Sequence, residues 1–475
     1  MLRSDQSSLH VLFQPKSRPL GNTETSWCRA AGGGTGIAVL ALQLNKPTTE
    51  SSHILQITLE KILNSHPILH SKLHYNPATK QFSFLKTGNP GIPLKFHDSS
   101  STSKLLLRLS TAQNSGTSPL LLISEHELNS KSWSDPNSFP CSGMDLLFGS
   151  VYALSDVKSV VVLKFHAAIC DRTTAVSFLR ELMVLAKEGE GGGGASRTKI
   201  EGEGDMGIES LVPSGLAKKT IWAHGIDMLG YSVNSLRLTN LNFKNTQLPR
   251  FSEIIRLKIN AHCTANILTG CKSRGIKLCG ALAAAGLMAG HSTKSDSAQK
   301  LKKKYGVVTL TDCRTIVEPA LSTQHFGFYH SAILNTQTMK GTENFWSLAQ
   351  RCFTDFEQYK KCNRHFSDMA DLNYLMCKAI ENPSLTASSS LRTSLISVFE
   401  DPVMDGSGQM QQDLGVEDYI GCASLHGVGP SIAFFDTIRD GELDCACVYP
   451  APLHSREQMS EFVDRMRRIM IQGGD

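Results

Sequence analysis

The chain has 475 residues, which is too long for one compact hydrophobic core, so two domains are expected. Hydrophobic residues make up 41% and charged residues 19% of the chain, as in an ordinary globular protein. A net charge of +5 is too dilute to indicate a nucleic-acid partner. The most continuous apolar run, Gly280–Gly290, is much shorter than the roughly 20 residues that a membrane span needs. The first residues show no apolar signal-peptide core, so we expect a cytoplasmic location and no membrane span.

One segment divides the chain. Residues Lys187–Asp205 are rich in Gly and Glu and lack apolar periodicity, which is typical of a flexible linker or surface loop. We therefore expect an N-terminal domain over 1–187, a linker over 188–206 and a C-terminal domain over 207–475. The thirteen cysteines are scattered without finger-like spacing, so reduced thiols and no metal site are expected. The sequence gives no indication of an oligomeric state.

Strands and helices alternate in both parts, which predicts two α/β layers. In the front part, the apolar runs at 37–43 and 160–165 predict strands, and the periodicity at 51–65 and after Asp171 predicts helices. In the back part, the same reasoning predicts strands at 251–260, 306–310, 432–438 and 444–448, and helices at 264–274, 278–289, 344–359 and 455–471.

The stretch Ser159–Lys187 carries the clearest chemical signal. A hydrophobic run ends at His166, a short turn of small residues follows, and Asp171 precedes an amphipathic helix pattern. Asp171 or Thr173 is also placed to cap that helix. A strand, a polar turn and a helix are a common arrangement for holding a reactive side chain at the end of an element.

Several segments in order resemble the chloramphenicol acetyltransferase-like superfamily, which includes alcohol acetyltransferases, plant BAHD acyltransferases and condensation domains. The segment FHAAICDR, which contains His166 and Asp171, resembles its His-His-x-x-x-Asp-Gly motif. Leu59–Leu73 resembles an early helix that ends in His-Pro-x-Leu, and Asp312-Cys313-Arg314 resembles an Asp-x-Arg strand end. Ser424-Leu425-His426-Gly427 resembles a Ser-Asn-x-Gly loop. The resemblance covers nearly the whole chain.

This resemblance implies two chloramphenicol acetyltransferase-like domains of mixed α/β structure with a channel between them. It further implies that an acyl group passes from a thioester to a small-molecule alcohol or amine. Acyl-CoA, as co-substrate rather than bound cofactor, is the expected donor, and a carrier-protein thioester is the open alternative. A motif histidine acts as general base in that reaction, because imidazole titrates near neutral pH. Asp171 is expected to pair with Arg314 and hold the motif loop.

The motif departs from the family at two positions. Ala167 stands where the family has its base, and Arg172 stands where it has glycine. One hypothesis is that His166 enters the channel and acts as the base. The alternative is a catalytically degenerate member that binds or regulates, with Arg172 contacting an anionic ligand. A thioesterase-like hydrolase, with water as acceptor, is a third and weaker possibility.

Other side chains are candidates near the channel. Ser424, His426 and Gly427 belong to a loop that borders the channel in the family. His262, His325, His330, His365 and His426 are further histidines that could replace the missing base in space, and His426 is the strongest candidate by its loop. A nucleophilic pair of Cys170 with His166 is possible in chemistry, but a small packing thiol is the more common role of a buried cysteine.

Overall fold

The architecture is taken from a computed structural model that describes residues 17–46, 48–86, 91–111, 114–188, 199–220, 222, 224, 238–292, 302–341 and 343–474. Over these residues the chain forms sixteen strands and twelve α-helices. The strands are β1 Ser17–Pro19, β2 Thr35–Asn45, β3 Ser71–Asn76, β4 Gln81–Lys86, β5 Leu94–His97, β6 Met144–Asp145, β7 Leu147–Ala153, β8 Lys158–His166, β9 Phe251–Ile259, β10 Lys303–Asp312, β11 His330–Met339, β12 Arg392–Phe399, β13 Val403–Asp405, β14 Val416–Leu425, β15 Gly429–Arg439 and β16 Glu442–Ala451. The helices are α1 Asn22–Gly32, α2 Thr48–Ser65, α3 Ser99–Leu109, α4 Pro119–Leu128, α5 Arg172–Glu188, α6 Ala261–Ser273, α7 Leu278–Ser292, α8 Phe345–Lys361, α9 Arg364–Ser367, α10 Met369–Glu381, α11 Gly408–Leu414 and α12 Arg456–Gly474.

The strands form three sheets. A five-stranded sheet has the order β14-β2-β8-β7-β5, and a four-stranded sheet has the order β1-β4-β3-β6. The third sheet has seven strands, with β11-β10-β12-β15-β16-β9 in line and β13 paired to β15. Parallel and antiparallel pairs occur together, so the mixed α/β class predicted from the sequence is confirmed.

Two large hydrophobic clusters stabilise these layers. The first lies on the seven-stranded sheet, where the apolar helix α7 and helix α12 pack; α7 contributes buried Leu282 and Ala285, and α12 contributes Phe462 and Met466. The second lies between the strand β8 and the helices α2 and α5. Helix α7 is buried on nearly every side, which explains why its sequence is apolar throughout rather than amphipathic.

One strand of the predicted C-terminal domain pairs with a strand of the predicted N-terminal domain. Strand β14 comes from the C-terminal part, yet it pairs with β2 of the N-terminal part over residues 416–425. The two parts are therefore joined through a shared sheet edge as well as through the linker. Within the predicted linker, residues 189–198 lie outside the described residues, while Glu203 is buried against His66.

Two further observations concern the described residues only. No helix in the described ranges is both long and apolar enough to cross a bilayer. No group of three or more His, Cys, Asp and Glu side chains lies together there as metal ligands would.

Candidate active site

Within the described part of the chain, a large cavity lies between the seven-stranded sheet and the N-terminal part. Its volume is about 580 Å³, which falls within the range of roughly 300–1,000 Å³ that small-molecule sites occupy. One wall comes from β10, β11, β12 and β15, and the opposite walls come from β2, β14, α5 and α10. Most of the lining surface is apolar, and polar and charged side chains, among them Asp171, Arg172 and His330, are interspersed in it. The two parts of the chain thus enclose a cavity of the kind that the resemblance implied.

The turn after β8 places the motif residues on different sides of this wall. Phe165 and Ala167 both line the cavity, and His166 between them does not. Successive side chains of a strand point to opposite faces, so the His166 ring lies on the far side, edge-on to Trp133 at 5.2 Å between ring centroids.

His166 is fully buried, and its Nδ1 accepts a hydrogen bond of 3.1 Å from the Ala168 amide. Burial lowers the pKa of His166 to about 3, so the ring is neutral at physiological pH. In this structure the His166 side chain therefore does not reach the cavity, where a general base would meet the acceptor. The position of His166, one residue before that of the family's base, explains this placement. Ala167 occupies the base position and lies on the cavity side, and His166 does not.

Asp171 and Arg314 form the predicted ion pair. The guanidinium Nη1 and Nη2 atoms donate to Oδ2 and Oδ1 of Asp171 at 2.8 and 3.0 Å, and both side chains are about 1% exposed. Burial alone would raise the pKa of Asp171, but Arg314 and His330 outweigh it and hold that pKa well below its usual value. Oδ1 also accepts from the Thr174 amide at 2.8 Å, so Asp171 caps α5 as well.

His330 is the histidine that the structure brings to this junction. Its Nδ1 lies 3.0 Å from Oδ2 of Asp171, and its side chain lines the cavity. The face of Phe399 meets its ring in a T-shaped contact at 5.8 Å between centroids. Sequence reasoning listed this histidine without preferring it, because no local pattern places residue 330 beside residue 171.

Arg172 also lines the cavity, but its charge is already engaged. Its Nη2 lies 3.0 Å from Oδ1 of the buried Asp436, and its Nη1 donates to the carbonyl of Asp401 at 3.0 Å. Its guanidinium carbon lies 4.2 Å from the ring centroid of Phe399. These contacts tie the start of α5 to the seven-stranded sheet, so the expected role of Arg172 as a free anion contact is not supported.

The loop 424–427 is only partly at the cavity. Ser424 lines it, and the Ser424 hydroxyl accepts from the Ile37 amide at 3.0 Å. His426 lies outside the lining, with its Nδ1 3.0 Å from the hydroxyl of Ser252. Burial, and then the nearby Arg392, lower the pKa of His426 to about 4.

Gly427 also lies outside the lining, and its carbonyl accepts from Arg392. His426 and Gly427 therefore do not contact the cavity as expected.

Cys170 lines the cavity but is poorly suited to act as a nucleophile. It is buried, and burial together with the adjacent Asp171 raises the pKa of its thiol well above the usual value. His166, its proposed partner, faces the other side of the wall. The packing role that sequence reasoning favoured agrees with this position.

Comparison with known proteins gives a consistent fold. No protein-family model matches the chain, and no curated protein matches its sequence. Among solved structures, TRI3 trichothecene 15-O-acetyltransferase from Fusarium sporotrichioides is similar with a TM-score of 0.67 and 11% identity, over 97% of this chain and 95% of that one. The EpoB NRPS cyclization-docking bidomain from Sorangium cellulosum has a TM-score of 0.65 and 12% identity, over 96% and 86%. The X-domain from teicoplanin biosynthesis has a TM-score of 0.59 and 13% identity, over 98% and 97%.

These similarities define the class of the fold. The chain has the chloramphenicol acetyltransferase-like fold over nearly its full length, as the sequence resemblance predicted. The similar structures include an acetyltransferase, an NRPS cyclization-docking bidomain and an X-domain solved in complex with OxyB. At these identities the likeness shows the fold and leaves the reaction to be argued from the site.

Proposed function

We propose that this protein transfers an acyl group from acyl-CoA to the hydroxyl or amine of a small-molecule acceptor. The observation that carries the proposal is the apolar cavity of about 580 Å³, whose wall includes the Asp171 junction. An acyl chain is stabilised by such a lining, and exclusion of water protects a thioester from hydrolysis. Holding both reactants in one enclosed space also supplies part of the rate enhancement through proximity.

The alternative proposal is a protein that binds a ligand in the same cavity and does not turn it over. Two observations favour it: the side chain at the position of the motif base is Ala167, and Arg172 is held by Asp436 instead of facing a ligand. A binding protein of this kind is stabilised by acyl-CoA without consuming it. A ligand present at 100 times its Kd adds about 2.7 kcal/mol to the free energy of unfolding.

One experiment separates these functions. The full chain is incubated with acyl-CoAs of increasing chain length, with and without a pool of alcohols and amines, and released CoA and acylated products are measured by mass spectrometry. Acceptor-dependent release supports the transferase, and release without an acceptor indicates hydrolysis. A rise in the melting temperature with acyl-CoA, without release of CoA, supports the binding protein.

A cavity-filling variant tests where the reaction takes place. Ala332 on β11 lines the cavity, so Ala332→Phe is expected to reduce CoA release strongly by occupying substrate space. Ala78 lies exposed in a turn, and Ala78→Phe serves as the matched control that keeps wild-type release. Equal activity of both variants would place the reaction outside this cavity.

A further inference from the structure

His330 lies in the wall of the cavity. It begins strand β11, and the side chains at two-residue steps from it, Ala332 and Leu334, line the cavity on the same strand face. The ring is 6% exposed, and aromatic contacts with Phe328 and Phe399 restrict its plane. The ring is therefore held in place and faces the space where a substrate would bind.

Asp171 determines which nitrogen of His330 carries the hydrogen. The Asp171 carboxylate is ionised because Arg314 pairs with it, so it can only accept hydrogen bonds. Nδ1 of His330, which lies 3.0 Å from Oδ2, is therefore the donor of this hydrogen bond. Nε2 is then the ring nitrogen that can take a proton from a substrate, and among the residues that the structure describes no hydrogen bond to Nε2 is formed. This is the arrangement by which a carboxylate orients a histidine base.

None of the other candidate histidines meets these conditions. His166 lies behind the cavity wall, and four others lie outside its lining: His262, His325, His365 and His426. The ring of His330, by contrast, lies in the lining and beside the Asp171 carboxylate. His330 is thus the histidine that combines access to the cavity with an anionic partner.

We propose that His330 is the general base of this protein. It takes the role of the second motif histidine, whose position is occupied by Ala167. The assignment rests on the proposed acyl transfer. Nε2 takes the proton from the acceptor hydroxyl or amine as the acceptor oxygen or nitrogen bonds to the thioester carbonyl carbon. The tetrahedral intermediate then collapses, the carbon–sulfur bond breaks, and the departing thiolate takes the proton from Nε2. The products are the ester or amide and free CoA, and the imidazole returns to its starting form.

The test uses the same substitution at two buried histidines. In His330→Asn the amide nitrogen can still donate to Asp171, but the base nitrogen is gone. In His166→Asn the amide oxygen can still accept from the Ala168 amide. We expect His330→Asn to lower kcat by about 10²–10⁴-fold, the usual contribution of general base catalysis, with KM nearly unchanged. We expect His166→Asn to stay within a few-fold of wild type.

The outcomes distinguish this assignment from the proposed function. If His330→Asn keeps the kcat of the wild type, or if His166→Asn loses as much kcat as His330→Asn, the assignment is contradicted. The proposed acyl transfer is then unaffected. Absence of transfer by the wild type with every donor and acceptor contradicts both.

If His330→Asn does not fold, the tautomer of the His330 ring in the wild-type protein still tests the assignment. Nitrogen-15 NMR of the histidine-labelled chain should show hydrogen on Nδ1 and none on Nε2, with the signal assigned by its absence from His330→Gln. Hydrogen on Nε2 in the neutral ring overturns the assignment.

Discussion

Removal of the Asp171 charge is expected to destabilise the whole junction between the two parts of the chain. Its carboxylate accepts five hydrogen bonds, from the two Arg314 nitrogens, the amides of Thr174 and Tyr329, and Nδ1 of His330. Asp171→Asn keeps the size of the side chain but turns an amide NH₂ group toward some of these donors. It also removes the buried carboxylate partner of Arg314, which is 1% exposed, and leaves the half-buried Asp312 at 3.1 Å as its other partner. Breaking a buried pair by removal of one partner costs about 3–5 kcal/mol.

This cost converts into a measurable shift. Unfolding entropy is about 2.1 cal/mol/K per residue, so one cooperative unit of 475 residues loses about 1 °C in Tm per kcal/mol. We expect Asp171→Asn to melt at least about 3–5 °C lower by far-ultraviolet circular dichroism. The shift is larger if a smaller part of the chain unfolds as the cooperative unit.

A double-mutant cycle tests the reasoning. Arg314→Met removes the buried cation, so the Asp171→Asn, Arg314→Met chain should be less destabilised than the sum of the two single variants. Asp413→Asn is the control, because Asp413 forms an exposed pair with Lys187 and should shift Tm little. A Tm of Asp171→Asn within 1 °C of wild type, or simple additivity in the cycle, would refute the account.

Two further predictions concern other parts of the fold. Burial alone would lower the pKa of His66, but hydrogen bonds to two glutamates, one of them Glu203 at 2.6 Å, raise it to about 9. The stabilisation of the folded state by protonated His66 is therefore complete below pH 6.5 and is lost as the pH rises through 9. The Tm difference between wild type and His66→Gln should be large at pH 6 and small at pH 10. A difference that does not change with pH contradicts this. Gly34 has φ +93°, and a Cβ there would lie 1.9 Å from Nε2 of His426, whereas Gly116 has φ +86° and open space around it. Gly34→Ala should therefore lower Tm clearly more than Gly116→Ala, which carries the backbone strain alone, and equal shifts would show that the close approach does not matter.

The β8–turn–α5 unit could be predicted from the sequence because its signals are local. An apolar run, a capping aspartate and helical periodicity each occur within a few residues, and the structure forms β8 and α5 close to the predicted bounds. Strand β11 was missed for a physical reason. Its buried face carries the polar Ser331, Asn335 and Gln337, so the hydrophobic alternation that marks a strand is absent.

The position of the base could not be predicted for a related reason. His330 and Asp171 are 159 residues apart in sequence, and only the pairing of β10 with β11 and the docking of α5 bring them together. The side on which His166 lies was likewise undetermined, because the end of β8 and the start of the turn decide it. Here β8 extends to His166, so strand alternation still applies and places Ala167 on the cavity side.

The Asp171–His330 contact favours catalysis over binding as the proposed function. A general base needs one nitrogen available to the acceptor and a fixed partner for the other, and the contact of Nδ1 with Asp171 gives His330 that partner. For a protein that only binds an apolar ligand, an imidazole in the cavity wall is unfavourable, because its burial costs hydration free energy. The apolar side chains beside it, Ala332 and Leu334, carry no such cost. Four of the five hydrogen bonds to the Asp171 carboxylate do not involve His330, so loss of the histidine should affect the fold less than loss of Asp171. We therefore expect replacement of His330 to affect turnover far more than stability, and that contrast is the strongest discrimination between the two functions.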